Sequence, residues 1–151
     1  MLFRSQNLVF CNDIDAYAVQ ITKLNIEYLF PNLQFQIKCD DGLELQWQQK
    51  FDFIITNPPY GIKHKHHTLK TTEIFSQFIY SSLFKYLNEN GIMNFVLPSS
   101  VLDVNKHKEI RKIILDQFSL ERIKFYGKSF SGVFSDIVFI QIKNKIGRAH
   151  V

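Results

Sequence analysis

Asn57-Pro58-Pro59-Tyr60 is the segment whose residue types and spacing could do chemistry. It offers two oxygen acceptors, the Asn57 side-chain carbonyl and the Pro58 backbone carbonyl, followed by the flat ring of Tyr60. Two successive prolines fix φ and force the residues before them into extended geometry, so the Pro58 carbonyl is aimed in advance. An acceptor pair of this kind suits a planar, conjugated amine, whose lone pair is delocalised and therefore poorly nucleophilic. Acceptors on its two hydrogens draw the nitrogen toward tetrahedral geometry and localise that pair. The matching reaction is an in-line displacement at a sulfonium methyl, run by positioning and preorganised dipoles without a metal or a covalent nucleophile. Tyr60 would then stack on a base removed from its helix. A plain turn is the alternative, since Asn and Pro both favour turns. The strand-like run Phe51–Thr56 directly before the loop favours the chemical reading.

The elements that must position this loop follow from periodicity. Leu8-Val9-Phe10-Cys11 is a short apolar run that stops at Asn12-Asp13-Ile14-Asp15, and a helix is predicted from about Ala16 to Leu29, broken by Pro31. Phe35–Cys39 alternates like a strand and stops at Asp40-Asp41-Gly42. After the loop, Phe75, Phe78, Ile79, Leu83 and Leu87 build one buried helical face over about Thr72–Asn88, which Asn90-Gly91 should end. Ile92–Leu97 reads as a strand buried on both faces. A helix from about Val104 to Gln117 should put Ile110, Ile113 and Ile114 inward and Lys106, Lys108, Arg111 and Lys112 mostly outward. Strands near Leu120–Tyr126 and Val133–Lys143 close the chain. This alternation predicts an α/β fold with a mainly parallel, twisted sheet and helices on both faces. In such sheets ligands bind beyond the carboxyl ends of the strands. Asp13, Asp40/Asp41 and Asn57–Tyr60 all follow a predicted strand, and form one site if the strands are neighbours.

Composition sets limits on function. The chain has 151 residues, 46% hydrophobic and 21% charged, which fits one soluble domain with a core of its own. No apolar run approaches the roughly 20 residues that span a bilayer, and no signal pattern opens the chain. Cys11 and Cys39 sit in apolar runs and need no oxidising compartment, so cytoplasm is the expected location. The tail Lys145-Ile146-Gly147-Arg148-Ala149-His150-Val151 reads as a translated sequencing-library adapter, leaving 1–144 as the natural part. Removing Lys145 and Arg148 from the 18 basic residues leaves 16 against 14 acidic ones, about +2. Bulk charge therefore offers almost no support for a nucleic-acid partner. His64-Lys65-His66-His67 lacks a second ligand pair at zinc-like spacing, so a basic loop touching phosphates is expected there and no metal.

Phe51–Gly61, with its Asn-Pro-Pro-Tyr core, resembles the catalytic motif of amino-group DNA methyltransferases from restriction–modification systems. The resemblance runs over nearly all of 8–144. Asn12–Asp15 resembles that family's ribose-binding acidic turn, which implies Asp13 as the ribose contact and leaves Asp15 to cap the following helix. Cys39-Asp40-Asp41-Gly42-Leu43 is similar to the turn that contacts the cofactor adenine. Asp41, in an Asp-x-Leu frame, is the first choice for that contact and Asp40 the second. Gly91–Ser100 resembles the strand behind the target pocket. Lys108–Arg111 through Phe130–Phe134 is most similar to the adenine-N6 branch found in type IIG and type I proteins. The resemblance implies a Rossmann-like class I fold, S-adenosyl-L-methionine as cofactor, and double-stranded DNA with a flipped adenine as partner.

Two parts of the family pattern have no match. A glycine-rich cofactor turn and its strand should lie just before residue 8, and a sequence-reading domain or subunit should lie beyond 144. A truncated catalytic domain with the first strand missing or incomplete, inactive alone, is therefore expected. Phe130 and Phe134 are more simply core residues than a second stacking aromatic. Similar Asn-Pro-Pro-Tyr loops serve guanine-N2 rRNA and release-factor glutamine methyltransferases, and a non-catalytic binding module is a further alternative.

Overall fold

The computed structural model describes residues 8–63, 69–127 and 136–145. Met1–Gln46 and Trp47–Val151 separate as two compact units, and each is described by itself.

The first unit is a single parallel crossover. Strand β1 (Leu8–Asp13), helix α1 (Ala16–Leu29) and strand β2 (Gln34–Cys39) follow in order, and β1 pairs with β2 from Leu8↔Gln34 to Asp13↔Cys39. Asp15 caps α1 as expected, its carboxylate accepting the Tyr17 N–H at 2.8 Å. The Phe30 N–H closes the last turn on the Ile26 carbonyl at 2.8 Å, and Pro31 cannot continue the helix. Cys11 is half-buried and Cys39 exposed, so neither is the fully buried thiol that its apolar setting predicts.

The second unit holds a four-stranded sheet in the order β3-β4-β6-β5, built from β3 (Phe51–Thr56), β4 (Leu87–Pro98), β5 (Ser119–Gly127) and β6 (Ile137–Lys143). β3 and β4 are parallel, whereas β6 runs antiparallel to both β4 and β5. The expectation of a mainly parallel sheet therefore holds for two of the four pairings across both units. The reason is local. β5 ends at Gly127 and β6 begins at Ile137, which leaves fewer residues than the dozen or more that a parallel crossover needs, so the chain returns antiparallel.

Helices α2 (Ile74–Ser81) and α3 (Lys108–Gln117) cover one face of this sheet. Phe75, Ile79 and Leu83 meet Met93, Phe95 and Leu97 of β4, Ile110 and Ile114 of α3, and Val138, Ile140 and Ile142 of β6 in one core cluster. The inward set predicted for α3 is thus Ile110 and Ile114 fully buried and Ile113 partly so. On β3, Ile54 shares the core face with its partner Met93. Phe53 and Ile55 register with Ile92 and Asn94 on the opposite face and are 56% and 70% exposed.

One helix ends earlier than its periodicity predicts. α2 passes into a single π-helical turn at Ser82–Tyr86, and Leu87 is already extended and paired with Phe51. The polar run after it is fixed to strands. The Asn88 amide donates to Asp52 Oδ1 at 2.8 Å, the Asn90 N–H to the Asn144 carbonyl at 2.7 Å, and the Asn144 N–H to the Gly91 carbonyl at 2.9 Å. Asn90 takes a left-handed φ of 61°, which Asn tolerates better than most residues. The helix predicted from Val104 likewise starts later, after a 3₁₀ turn at Asn105–His107.

Gly91 is required by space. A Cβ there would sit 2.9 Å from the Asn88 carbonyl oxygen, 2.9 Å from Leu87 Cδ1 and 3.2 Å from the Asp52 carbonyl oxygen. Two of the three are backbone atoms, and the Asn144 amide holds the Asn88 carbonyl oxygen at 3.0 Å. Gly91→Ala is expected to cost about 1–3 kcal/mol, read as a lower urea midpoint at unchanged slope. An unmoved midpoint would show that this turn yields freely.

Candidate functional site

Asn57–Tyr60 leaves the carboxyl end of β3, where a parallel partner, β4, continues beside it. Pro58 and Pro59 have no N–H, so the strand ladder cannot extend through them. Tyr60 replaces it with a side-chain bond: its hydroxyl lies 2.7 Å from the Val96 carbonyl oxygen on β4 and 2.5 Å from Asn57 Oδ1 as placed. A phenol has one proton and cannot donate to two oxygens at once. Both contacts are satisfied together when the proton goes to Val96 and the Asn57 carboxamide turns its NH₂ to the phenol oxygen. Asn57 then presents its carbonyl oxygen away from Tyr60, where an amine could be received. Among the described residues no donor engages the Pro58 carbonyl, so the second acceptor is free as well. Burial pushes the Tyr60 phenol up, which keeps its proton in place across the neutral range.

The remaining geometry holds this loop rigid. Pro58 is buried, Asn57 and Pro59 are exposed, and the Tyr60 ring is half-buried. Gly61 takes φ +72°, a conformation that costs glycine least. The edge of Tyr60 packs against Phe75 of α2, with ring centroids 6.5 Å apart at 83°, and Phe75 in turn meets the His107 ring at 4.7 Å. The backbone after the loop is bridged to the start of α2, with the Ile74 N–H on the Ile62 carbonyl at 3.1 Å and Lys63 opposite Glu73.

The acidic residues lie in the first unit. Asp13 and Asp40 stand at the carboxyl ends of neighbouring parallel strands, joined by the Asp40 N–H on the Asp13 carbonyl at 3.1 Å. Asn12, which the sequence reading left without a role, locks this junction by donating its amide to the Asp40 carbonyl at 2.9 Å. Asp13 Oδ1 accepts the Asp15 N–H at 2.9 Å and Asp40 Oδ1 the Asp41 N–H at 2.9 Å. Asp41 Oδ1 likewise accepts the Leu43 N–H at 2.9 Å, and its backbone carbonyl also accepts from Glu44 and Leu45. Asp41 is half-buried within the turn it builds around Gly42, while Asp13 and Asp40 are exposed. The structure thus brings Asp13, Asp40, Asp41 and Gly42 together, and it places Asn57–Tyr60 in the other unit. Two exposed carboxylates on adjacent strand ends suit a ligand that offers hydroxyls and an amino group, as an adenosine moiety does. His64–His67, Phe130 and Phe134 lie outside the described residues.

With this geometry in view, the sequence profile described as Eco57I restriction-modification methylase matches residues 7–134. The chain belongs to that family. Among curated relatives it is 33% identical over 106 residues to the modification methylase CviBIII of Paramecium bursaria Chlorella virus NC1A, covering 65% of this chain and 28% of that protein. It is 28% identical over 108 residues to the tRNA (guanine(10)-N2)-dimethyltransferase of Methanothermobacter thermautotrophicus, covering 72% and 31%. The chain therefore spans about a third or less of these relatives. Among solved structures, the type IIG restriction endonuclease BpuSI superposes with a TM-score of 0.71 at 18% identity, over 90% of this chain and 19% of that one. Solved methyltransferases share the fold, which is Rossmann-like, and S-adenosyl-L-methionine is the cofactor that the methylase family implies.

His107 makes the column behind Tyr60 sensitive to acid. It is fully buried, and neither ring nitrogen has a partner among the described residues. Burial, reinforced by neighbouring Lys106 and Arg111, lowers its pKa below 6.5. The unfolded chain takes up a proton near pH 6.5 that the native state refuses, so stability present above that pH is lost as pH falls below it. His107→Leu is expected to match or exceed the parent's melting temperature at pH 7 and to flatten its decline between pH 6.5 and 5. An equally steep decline would place the acid sensitivity elsewhere.

Proposed function

We propose that this chain is the catalytic domain of an enzyme that transfers a methyl group from S-adenosyl-L-methionine to the N6 amino group of adenine in double-stranded DNA, acting in the cytoplasm. The observation that carries it is the Asn57–Tyr60 loop, with its two acceptor oxygens held at the end of a parallel strand by the Tyr60–Val96 bond. When bound, the cofactor supplies an electrophilic sulfonium methyl. Asn57 Oδ1 and the Pro58 carbonyl accept the two amine hydrogens and turn the nitrogen lone pair toward it. The acceptors sit in a loop fixed before substrate arrives, so no reorganisation is needed as charge develops at nitrogen. One amine proton would pass to water from this exposed position as the N–C bond forms and the sulfonium S–C bond breaks, leaving a neutral thioether. The half-buried Tyr60 ring supports a base turned out of its stack. Membership in a restriction-modification methylase family and the likeness to CviBIII support DNA as the substrate.

Asp13 takes the cofactor ribose in this reading. Asp40, and not Asp41, takes the adenine amino group, because Asp40 is exposed whereas Asp41 is half-buried in its own turn. The likeness to a tRNA guanine-N2 dimethyltransferase favours a second reading, in which the same acceptors receive a guanine amine in RNA.

Asn57→Ala in the full-length protein should reduce transfer of labelled methyl to DNA by about 10² or more at an unchanged melting temperature. Undiminished transfer would remove the loop from the catalytic site. Asp40→Ala should raise the KM for S-adenosyl-L-methionine and spare stability. Asp41→Ala should lower stability by about 1 kcal/mol. The reverse pattern would return the contact to Asp41.

A further inference from the structure

Five lysines, Lys63, Lys70, Lys106, Lys108 and Lys112, line one open groove of about 700 Å³ in the second unit, and all five are exposed. As a sequence, Lys106–Lys112 reads as an ordinary solvated helix face. The fold changes that by setting α3 against the chain segments on either side of 64–68. Two glutamates share the groove, and both are occupied. Glu73 pairs with Lys106 at 2.9 Å, and Glu109 accepts the Lys70 backbone N–H at 2.8 Å. Lys63, Lys70, Lys108 and Lys112 have no ion-pair partner among the described residues. The first turn of the ten-residue α3 faces the groove, and His107 offers it no side-chain cap, so the positive end of the helix adds to the field.

We infer that this groove binds the sugar-phosphate backbone of the DNA strand that carries the target base. The inference rests on the DNA reading above and assigns it a surface. Lys108 and Lys112 are one helical turn apart, about 6 Å along the axis, close to two phosphate steps at about 3.4 Å of duplex axis each. Lysines on flexible stems follow a backbone as point charges, and the groove has no arginine fork for a single phosphate. It is also continuous with the catalytic loop. Lys63 follows Tyr60 by three residues and is bridged to Glu73, and Phe75, two residues on, packs on the Tyr60 ring. A strand lying in the groove would therefore run past the base pocket.

The test is fluorescence anisotropy of a labelled mixed-sequence duplex with the 151-residue chain across a salt series. Lys70→Gln/Lys108→Gln/Lys112→Gln is compared with Lys23→Gln/Lys50→Gln/Lys85→Gln, which removes the same charge away from the groove. The groove variant should lose about tenfold or more in affinity, and its log–log salt slope should fall by about 2–3, near 0.9 per phosphate contact. The control variant should lose far less. Equal losses in the two variants would overturn the inference, and so would loss of affinity for an RNA stem–loop without loss for the duplex. Binding is read without methyl transfer, so a failure here leaves the catalytic reading to be judged by its own assay.

Discussion

A loop with two consecutive prolines is poorly held to a sheet, because those two residues have no N–H groups to give to the neighbouring strand. In this domain the Tyr60 hydroxyl makes that attachment, at 2.7 Å from the Val96 carbonyl of β4. The placement of the loop depends on this bond. It requires β4 to run parallel beside β3 with Val96 level with the loop, which the register from Ile54↔Met93 to Thr56↔Phe95 provides. It requires Tyr60 to be backed, which Phe75 and the buried His107 ring do. It also sets the hydrogen-bond sense of Asn57. With the phenol proton given to Val96, the Asn57 amide satisfies Tyr60 through its nitrogen and is left with its oxygen as an acceptor.

The same economy appears at the acidic turns. Carboxylates at strand ends tend to be absorbed by local backbone N–H groups, because an Asx turn forms whenever the following residues allow it. Asp13, Asp40 and Asp41 each accept one nearby N–H in this way, and Asp13 and Asp40 stay exposed while Asp41 is half-buried. Turn geometry, more than sequence frame, thus sets how exposed each carboxylate is.

Much of the fold was legible from periodicity and caps. α1 spans Ala16–Leu29 and β3 spans Phe51–Thr56 as the pattern predicts, because both are bounded by strong signals, Asp15 and Pro31 for one and the Asn-Pro-Pro run for the other. The end of α2 was not legible, since Leu87 continues the helical spacing and only long-range bonds from Asn88 and Asn90 to Asp52 and Asn144 pull it into a strand. The antiparallel β5–β6 pair was obscured because apolar strands look alike in either direction. At the site, residue types located the loop and the acidic turns. The Val96 anchor, 36 residues from Tyr60, and the gathering of lysines from separate segments required the folded chain.

The central claim is that Asn57 and Pro58 receive the amino group of DNA adenine. It is tested most directly by identifying the methylated product. Full-length protein is incubated with tritiated S-adenosyl-L-methionine and a mixture of duplex DNA, RNA and cell protein, and each fraction is hydrolysed and chromatographed. Label in N6-methyl-2′-deoxyadenosine is the predicted result. Label confined to methylated guanosine or to protein glutamine would contradict it.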